Sequence, residues 1–331
     1  ATYNTQKTYH ALVFEEEDTL NFLDKMEIEP EGYYFENHII HGVSTEAKSK
    51  LPQADRIGNT YVDLLSASVG AGSANFPQDE DGVIRRSPTA IYFEGPDHVY
   101  PSLVMSAAID ILGIKKDGGF DYDFKNQVLR LIDTTNTVVR EIPIDEHGRM
   151  YVNYYGPFQT FYYLPYMYCF DPEMLPPEYW EGKVAFVGAS LPGLMDLRNT
   201  PVQETFAGVE IHANVMQSLL KNEFVQPKHR SETFVMIIII CVVLGMFVSL
   251  PEKPLYTLPV PLVGIVAWIL FTYSQFFSSL IMWEIVRPSL AMMGTYGSIF
   301  LYNFLIVEKD KRFLKDTFGA YISPVLLYQS D

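Results

Sequence analysis

TFVMIIIICVVLGMFVSL, Thr233–Leu250, contains no Asp, Glu, Lys or Arg. A helix of about 20 apolar residues crosses the hydrocarbon of a bilayer, so this run predicts a membrane span. Two more follow: LYTLPVPLVGIVAWILFTYSQFFSSL, Leu255–Leu280, and PSLAMMGTYGSIFLYNFLIV, Pro288–Val307, both equally free of charge. The links between them, PEKP and IMWEIVR, are short. Buried helices of a soluble core are the competing reading, but three uncharged runs in succession are unusual there. The expectation is a three-helix transmembrane bundle over residues 231–307, with spans near 233–250, 255–280 and 288–307.

Toward the C-terminus, Lys309, Lys311, Arg312 and Lys315 follow the last span. Basic residues collect on the cytoplasmic side, so this end is placed in the cytoplasm. Three spans then put residues 1–230 on the opposite face, periplasmic or extracellular. Lys228 and Arg230 weaken this bias without reversing it. The predicted location is the cell (inner) membrane, multi-pass, with the lipid bilayer as a partner. Channels and transporters usually carry ionisable groups inside the membrane, and these spans have none. Pro259 and Pro261 are expected to kink the middle helix. Ala291, Gly294, Thr295 and Ser298 recur near one face of the third span, a spacing that lets helices approach closely, within one chain or between two. Residues 308–331 read as a cytoplasmic linker. Phe304, Val307, Leu314 and Phe318 fall at a/d-like spacing of a signalling helix, with Lys311 breaking the seam, and Pro324 ends or restarts it.

Toward the N-terminus the texture changes. The chain has 331 residues and a net charge of −16, almost all of it before Arg230. An acidic surface repels phosphate backbones and argues against nucleic acid and anionic lipid as partners; a solvated acidic face is the simpler reading. Cys169 lies in this part and Cys241 inside an apolar run, so no disulfide framework is expected. The opening ATYNTQKTYH has no basic start or apolar core of a signal peptide, which suggests that the sequence begins after one.

Residues 1–230 read as one extracytoplasmic α/β domain with a partly parallel sheet. GKVAFVGAS, Gly182–Ser190, reads as a buried parallel strand. GVEIHANVMQSLLKN, Gly208–Asn222, has Val209, His212, Val215, Met216 and Leu219 at helical spacing. QVLRLID and TVVREIPI flank TTN and read as a hairpin. RMYVNYYGP alternates at Met150, Val152 and Tyr154 as a strand does. YPSLVMSAAIDILG reads as a helix, apolar at Leu103, Ala107 and Ile111.

In NFPQDEDGVIRRSP, Asn75–Pro88, the Asp79-Glu80-Asp81 run lacks the further offsets and closing Glu of a calcium loop. A tight turn at Asp81-Gly82, with Arg85 and Arg86 pairing to its acids, is the favoured reading. GASLPGLMDLRNTP follows the expected strand, where α/β ligands bind. Asp196 and Arg198 are the candidates there, against an ordinary internal ion pair. His212 is a third candidate ligand-binding residue, although a lone helical His is more often a packed core residue. YYGPFQTFYYLPYMYCF offers an apolar ligand pocket as one reading, with core packing or an edge loop as the favoured ones. No metal-ligand spacing or nucleophile elbow is present.

GSANFPQDEDGVIRRSP, YPSLVMSAA, HGRMYVNYYGP, GKVAFVGASLPGLMDLRNTPV and GVEIHANVMQSLL stand in the order seen in the second type of CHASE domain. Three spans after the sensor are also that family's arrangement. The resemblance covers about residues 10–307. RFLKDTFGAYISPVLLYQ resembles the segment leading into class III adenylate and guanylate cyclase domains, marked by Phe318-Gly319, Tyr321 and Ser323-Pro324. Two features depart from the family: no apolar strand ending in Asp, preceded by a span, stands before HALVFEEED, and the cyclase domain itself is missing. The resemblance therefore implies the middle of a larger bacterial receptor that makes cyclic AMP or cyclic GMP. It implies a homodimer, an unknown extracellular signal and Mg²⁺ or Mn²⁺ in the missing domain, with no cofactor and no catalytic residue in this chain. A histidine-kinase output, or a membrane-anchored binding protein without enzyme activity, are the alternatives.

Overall fold

The computed structural model describes residues 7–15, 38–58, 62–93, 97–171, 173–190, 197–249, 257–303, 305 and 313. The chain divides into two compact units, Ala1–Val225 and Gln226–Asp331.

The first unit is mixed α/β, built on several small sheets with parallel and antiparallel pairs where the sequence reading expects one partly parallel sheet. Tyr9–Leu12 pairs in parallel with Gly70–Ser73, and Gln53–Ala54 pairs in parallel with Ala90–Phe93. Helix α1, Thr45–Lys50, starts at Ser44, whose Oγ accepts from Ala47 N at 3.2 Å. Helix α2, Val62–Ser66, is a short turn. Helix α3, Leu103–Leu112, lies directly on the Gly70–Ser73 strand; a Cβ at Gly72 would stand 2.6 Å from the Ser102 carbonyl. Small residues in GAGS are thus what lets the helix approach. Ser102 caps α3 by accepting from Met105 N at 3.3 Å, and Gly113, at φ +67°, ends it. The buried face of α3 is Val104, Met105, Ala107, Ala108 and Ile109; Ile111, expected inside, is exposed.

The expected hairpin is present: Val128–Ile132 pairs antiparallel with Val138–Pro143, and Phe120–Asp123 adds a third strand. Leu129 and Leu131 point into the core, and Arg130 points out to Asp121 and Asp123. Burying one such leucine stabilises by about 2 kcal/mol. Only Arg149–Tyr151 of RMYVNYYGP is strand, paired with Arg86–Pro88. Helix α4, Gly208–Lys221, closes the core with Ile211, Val215, Met216 and Leu219. Gly182–Ser190 is not a strand. It lies against α4, with Gly188 so close to Val209 that a Cβ would come within 2.8 Å, and Val187 is 77% exposed. A strand-like pattern needs a free sheet edge beside it; this run meets a helix face instead.

The second unit holds α5, Arg230–Ser249, α6, Pro259–Ser279, and α7, Val286–Tyr302. Helices α5 and α6 have 20 and 21 residues and are long and apolar enough to cross a membrane. Most of their side chains face outward, unlike those of a soluble core helix; Phe234, Met246, Leu262, Leu270 and Phe277 are all exposed. Inside, Leu244, Val248, Trp268 and Met292 pack together. Pro259 is the first residue of α6 and Pro261 lies in its first turn, so the prolines start the helix where a kink was expected. Helix α7 has 17 residues, shorter than the expected third span. Phe304, Val307, Leu314, Phe318 and nearly all of the 308–331 linker lie outside the described residues. Gln226–Pro227 pairs in parallel with Ile281–Met282, stitching the start of this unit to the α6–α7 connection.

Candidate functional site

Helix α4 carries a buried polar stripe at Glu210, Asn214 and Ser218, one turn apart. Ser218 Oγ donates to the Asn214 carbonyl at 3.0 Å, and Asn214 Nδ2 to the Glu210 carbonyl at 2.8 Å. Asn214 Oδ1 is left to accept from Tyr155 N at 2.9 Å. Glu210 is 2% exposed. Its carboxylate gathers four donors from one loop: Gln159 N and Thr160 N at 3.0 Å, Phe161 N at 3.3 Å and the Tyr163 hydroxyl at 2.9 Å. Three backbone N–H groups and one hydroxyl thus satisfy the buried carboxylate. Burial and the neighbouring Glu210 charge push the Tyr163 phenol upward. At the other end of α4, Arg140 Nε donates to the Leu219 carbonyl at 2.7 Å, a cation on the helix's negative pole.

The loop so anchored carries the aromatic run into the open. Tyr166–Phe170 and Pro177–Trp180 form short 3₁₀ turns. Tyr162, Tyr166, Met167, Phe170 and Met174 are exposed, Phe170 at 74%. Tyr154 and Phe158 at the start of the run pack against the core, and much of the run from Tyr162 on is exposed. A small open cleft elsewhere, about 170 Å³, is lined by residues 39–43, Lys48 and residues 97–99.

Of the expected ligand residues, Asp196 lies outside the described residues. Arg198 stands on the two-residue strand Leu197–Arg198, opposite Phe206. His212 is 8% exposed and packs between Phe76, with ring centroids 4.4 Å apart, and Phe186, 6.3 Å away and stacked. Burial lowers its pKa to about 4, so the ring is neutral. That is the environment of a core residue.

The Asp79 turn forms as expected. Gly82 has φ +77°, and Gly82 N donates to the Asp79 carbonyl at 2.8 Å. Arg85 clasps Asp81 in a bidentate pair at 2.8 and 2.7 Å, which holds that carboxyl down to about 2. Arg86 bridges Asp79 and Asp145, and Asp145 also accepts from Arg149 Nε at 2.8 Å. Three arginines balance three aspartates, leaving the acids engaged in structure. Among the described residues, no group of three or more His, Cys, Asp or Glu side chains is placed to hold a metal ion.

Compared with known families, residues 11–248 match the CHASE2 domain. The match spans more than half of the chain, from the first strand to the end of α5, and the chain belongs to the CHASE2 domain family. CHASE2 is an extracellular sensor domain of membrane receptors. No curated protein and no solved structure matches the chain.

Proposed function

We propose that this CHASE2 chain is the sensor and membrane anchor of a receptor-type class III nucleotide cyclase, making cyclic AMP or cyclic GMP when an extracellular signal arrives. What carries the cyclase reading is the tail after the membrane helices, Phe318-Gly319, Tyr321 and Ser323-Pro324, which resembles the lead-in to such domains. On this reading the third span is the uncharged run Pro288–Val307, which holds most of α7. An odd number of crossings then sets the sensor outside and Lys309, Lys311, Arg312 and Lys315 in the cytoplasm of a bacterial inner membrane. Mg²⁺ or Mn²⁺ supplies charge neutralisation in the cyclase domain, which also brings the catalytic residues. Class III sites form between two copies, which makes the receptor a homodimer.

The mechanism is a shift between two arrangements of the sensor. Helix α4 ends at Lys221, and five residues later the chain enters the stitch at Gln226–Pro227. Movement there is shared between α5 and the α6–α7 connection, and α7 precedes the output in sequence. The test is cyclic nucleotide production from ATP and GTP, with Mg²⁺ or Mn²⁺, by membranes bearing the full-length protein. Accumulation of cyclic AMP or cyclic GMP supports the reading. Its absence, with histidine phosphorylation in its place, overturns it in favour of a kinase output.

A further inference from the structure

We propose that the signal reaches this sensor as a protein, with an apolar centre and a basic rim, that docks on the aromatic loop of residues 161–187. The proposal deepens the sensor part of the reading above and is independent of the cyclase output.

The loop presents Tyr162, Tyr166, Met167, Phe170, Met174 and Val187 to solvent, with Tyr162 at 81% exposure. Soluble surfaces seldom leave apolar side chains grouped in this way unless something covers them. Tyrosine, phenylalanine and methionine are also the residues enriched at protein interfaces. Tyr166 and Phe170 already pack edge to face at 5.2 Å. The base of the loop is fixed by the four donors to Glu210, and Phe158 N donates to Gln203 Oε1 at 3.2 Å. An ordered base reduces the entropy lost on docking. The 170 Å³ cleft is small beside ligand pockets, which run from about 300 Å³ upward.

Charge selects the occupant. Asp171, Glu173, Glu178 and Glu181 are exposed within the same stretch, and its single basic residue, Lys183, lies over the Tyr179 ring at 3.5 Å. Two copies meeting through this loop would set like charges against each other, and anionic lipid would be repelled for the same reason. A basic rim complements it. Docking pulls on residues 158–163, and those residues hold the carboxylate of α4, whose C-terminal end leads to the stitch and α5.

The experiment places benzoylphenylalanine at Tyr166 of the full-length receptor in its host cell and irradiates. Any cross-linked protein is identified, purified and titrated against the receptor in zwitterionic nanodiscs. The expected result is a basic partner that binds about tenfold more weakly to the Phe170→Glu receptor and to the Glu173→Lys receptor, and more weakly as salt rises. Both substituted side chains are exposed, so folding is not at stake. Cross-links only to a second copy, only to lipid, or to nothing overturn the proposal. So does a partner whose binding ignores both substitutions. Loss of cyclase activity alone would bear on the output and not on this surface.

Discussion

The backbone N–H of Lys228 donates to the carbonyl of Met282 at 3.0 Å, so the chain just before α5 is bonded to the chain between α6 and α7. Gln226 N reinforces it by donating to the Leu280 carbonyl at 2.9 Å. Leu280 accepts there because it sits at φ +55°, where it also closes α6. The Lys228 ammonium lies over the Trp283 ring at 5.6 Å, and Trp268 Nε1 donates to the Glu284 carbonyl at 3.1 Å.

This stitch is open to a direct test. Trp268→Phe removes the indole donor while keeping most of the ring volume. The loss is about 1 kcal/mol, from one buried bond left unmade. Amide exchange over residues 281–285 of the full-length protein in micelles is expected to quicken several-fold. Protection unchanged from wild type would mean that the connection is held by something other than this indole.

Glu210 governs the aromatic loop. Glu210→Gln keeps the shape, but the carboxamide turns an NH₂ toward groups that are themselves donors. The expected cost is about 3 kcal/mol, since charge-assisted bonds in a buried site are lost and at least one N–H is orphaned. Urea unfolding followed by Trp180 emission measures it. Limited proteolysis should cut within 157–163 sooner than in wild type. Wild-type stability and cleavage together would show that the loop does not depend on the carboxylate.

The sequence made some of this legible and hid the rest for physical reasons. Helices α3 and α4 announce themselves by the spacing of their apolar residues, the Val128–Pro143 hairpin by two strand-like runs flanking a short turn, and the Asp79 turn by Asp81-Gly82 and the following arginines. Those are local signals. Gly182–Ser190 has the composition of a buried strand, but whether a strand forms depends on a neighbouring edge that composition does not encode. Glu210 was missed because a first-turn acid reads as complementing the helix dipole. The signal that marks it is the i, i+4, i+8 spacing of Glu210, Asn214 and Ser218 beside the apolar stripe. His212 stands alone on the apolar face of α4, buried between Phe76 and Phe186.

Two glycines separate steric from conformational demand. Gly72→Ala would set a Cβ 2.6 Å from the backbone of Ser102, which cannot move without displacing α3. A cost above about 3 kcal/mol and loss of folded sensor are expected. Gly82→Ala meets nothing within 4 Å, but its φ of +77° is unfavourable for a side chain. That substitution should cost only about 1 kcal/mol. Yield and urea midpoints of the two variants check the order, and a reversed ranking would contradict the packing of α3 on the Gly70–Ser73 strand.

Acid should weaken the sensor through two buried imidazoles. Burial lowers His212 to about 4. His38 is also lowered to about 4, by burial first and then by Lys116, with a smaller contribution from His10; a bond to the Leu65 backbone opposes them. A depressed histidine binds fewer protons folded than unfolded between the two pKa values. Its stabilising effect is therefore complete above about 6.5, the unfolded value, and falls as the pH drops toward 4. From pH 7 to pH 5 each histidine should remove about 2 kcal/mol. His212→Leu keeps the packing against Phe76 and Phe186 apolar and should take away its share of that slope. Urea midpoints of wild type and variant at pH 7 and pH 5 decide it, and equal losses in the two proteins would show that His212 titrates normally in the folded sensor.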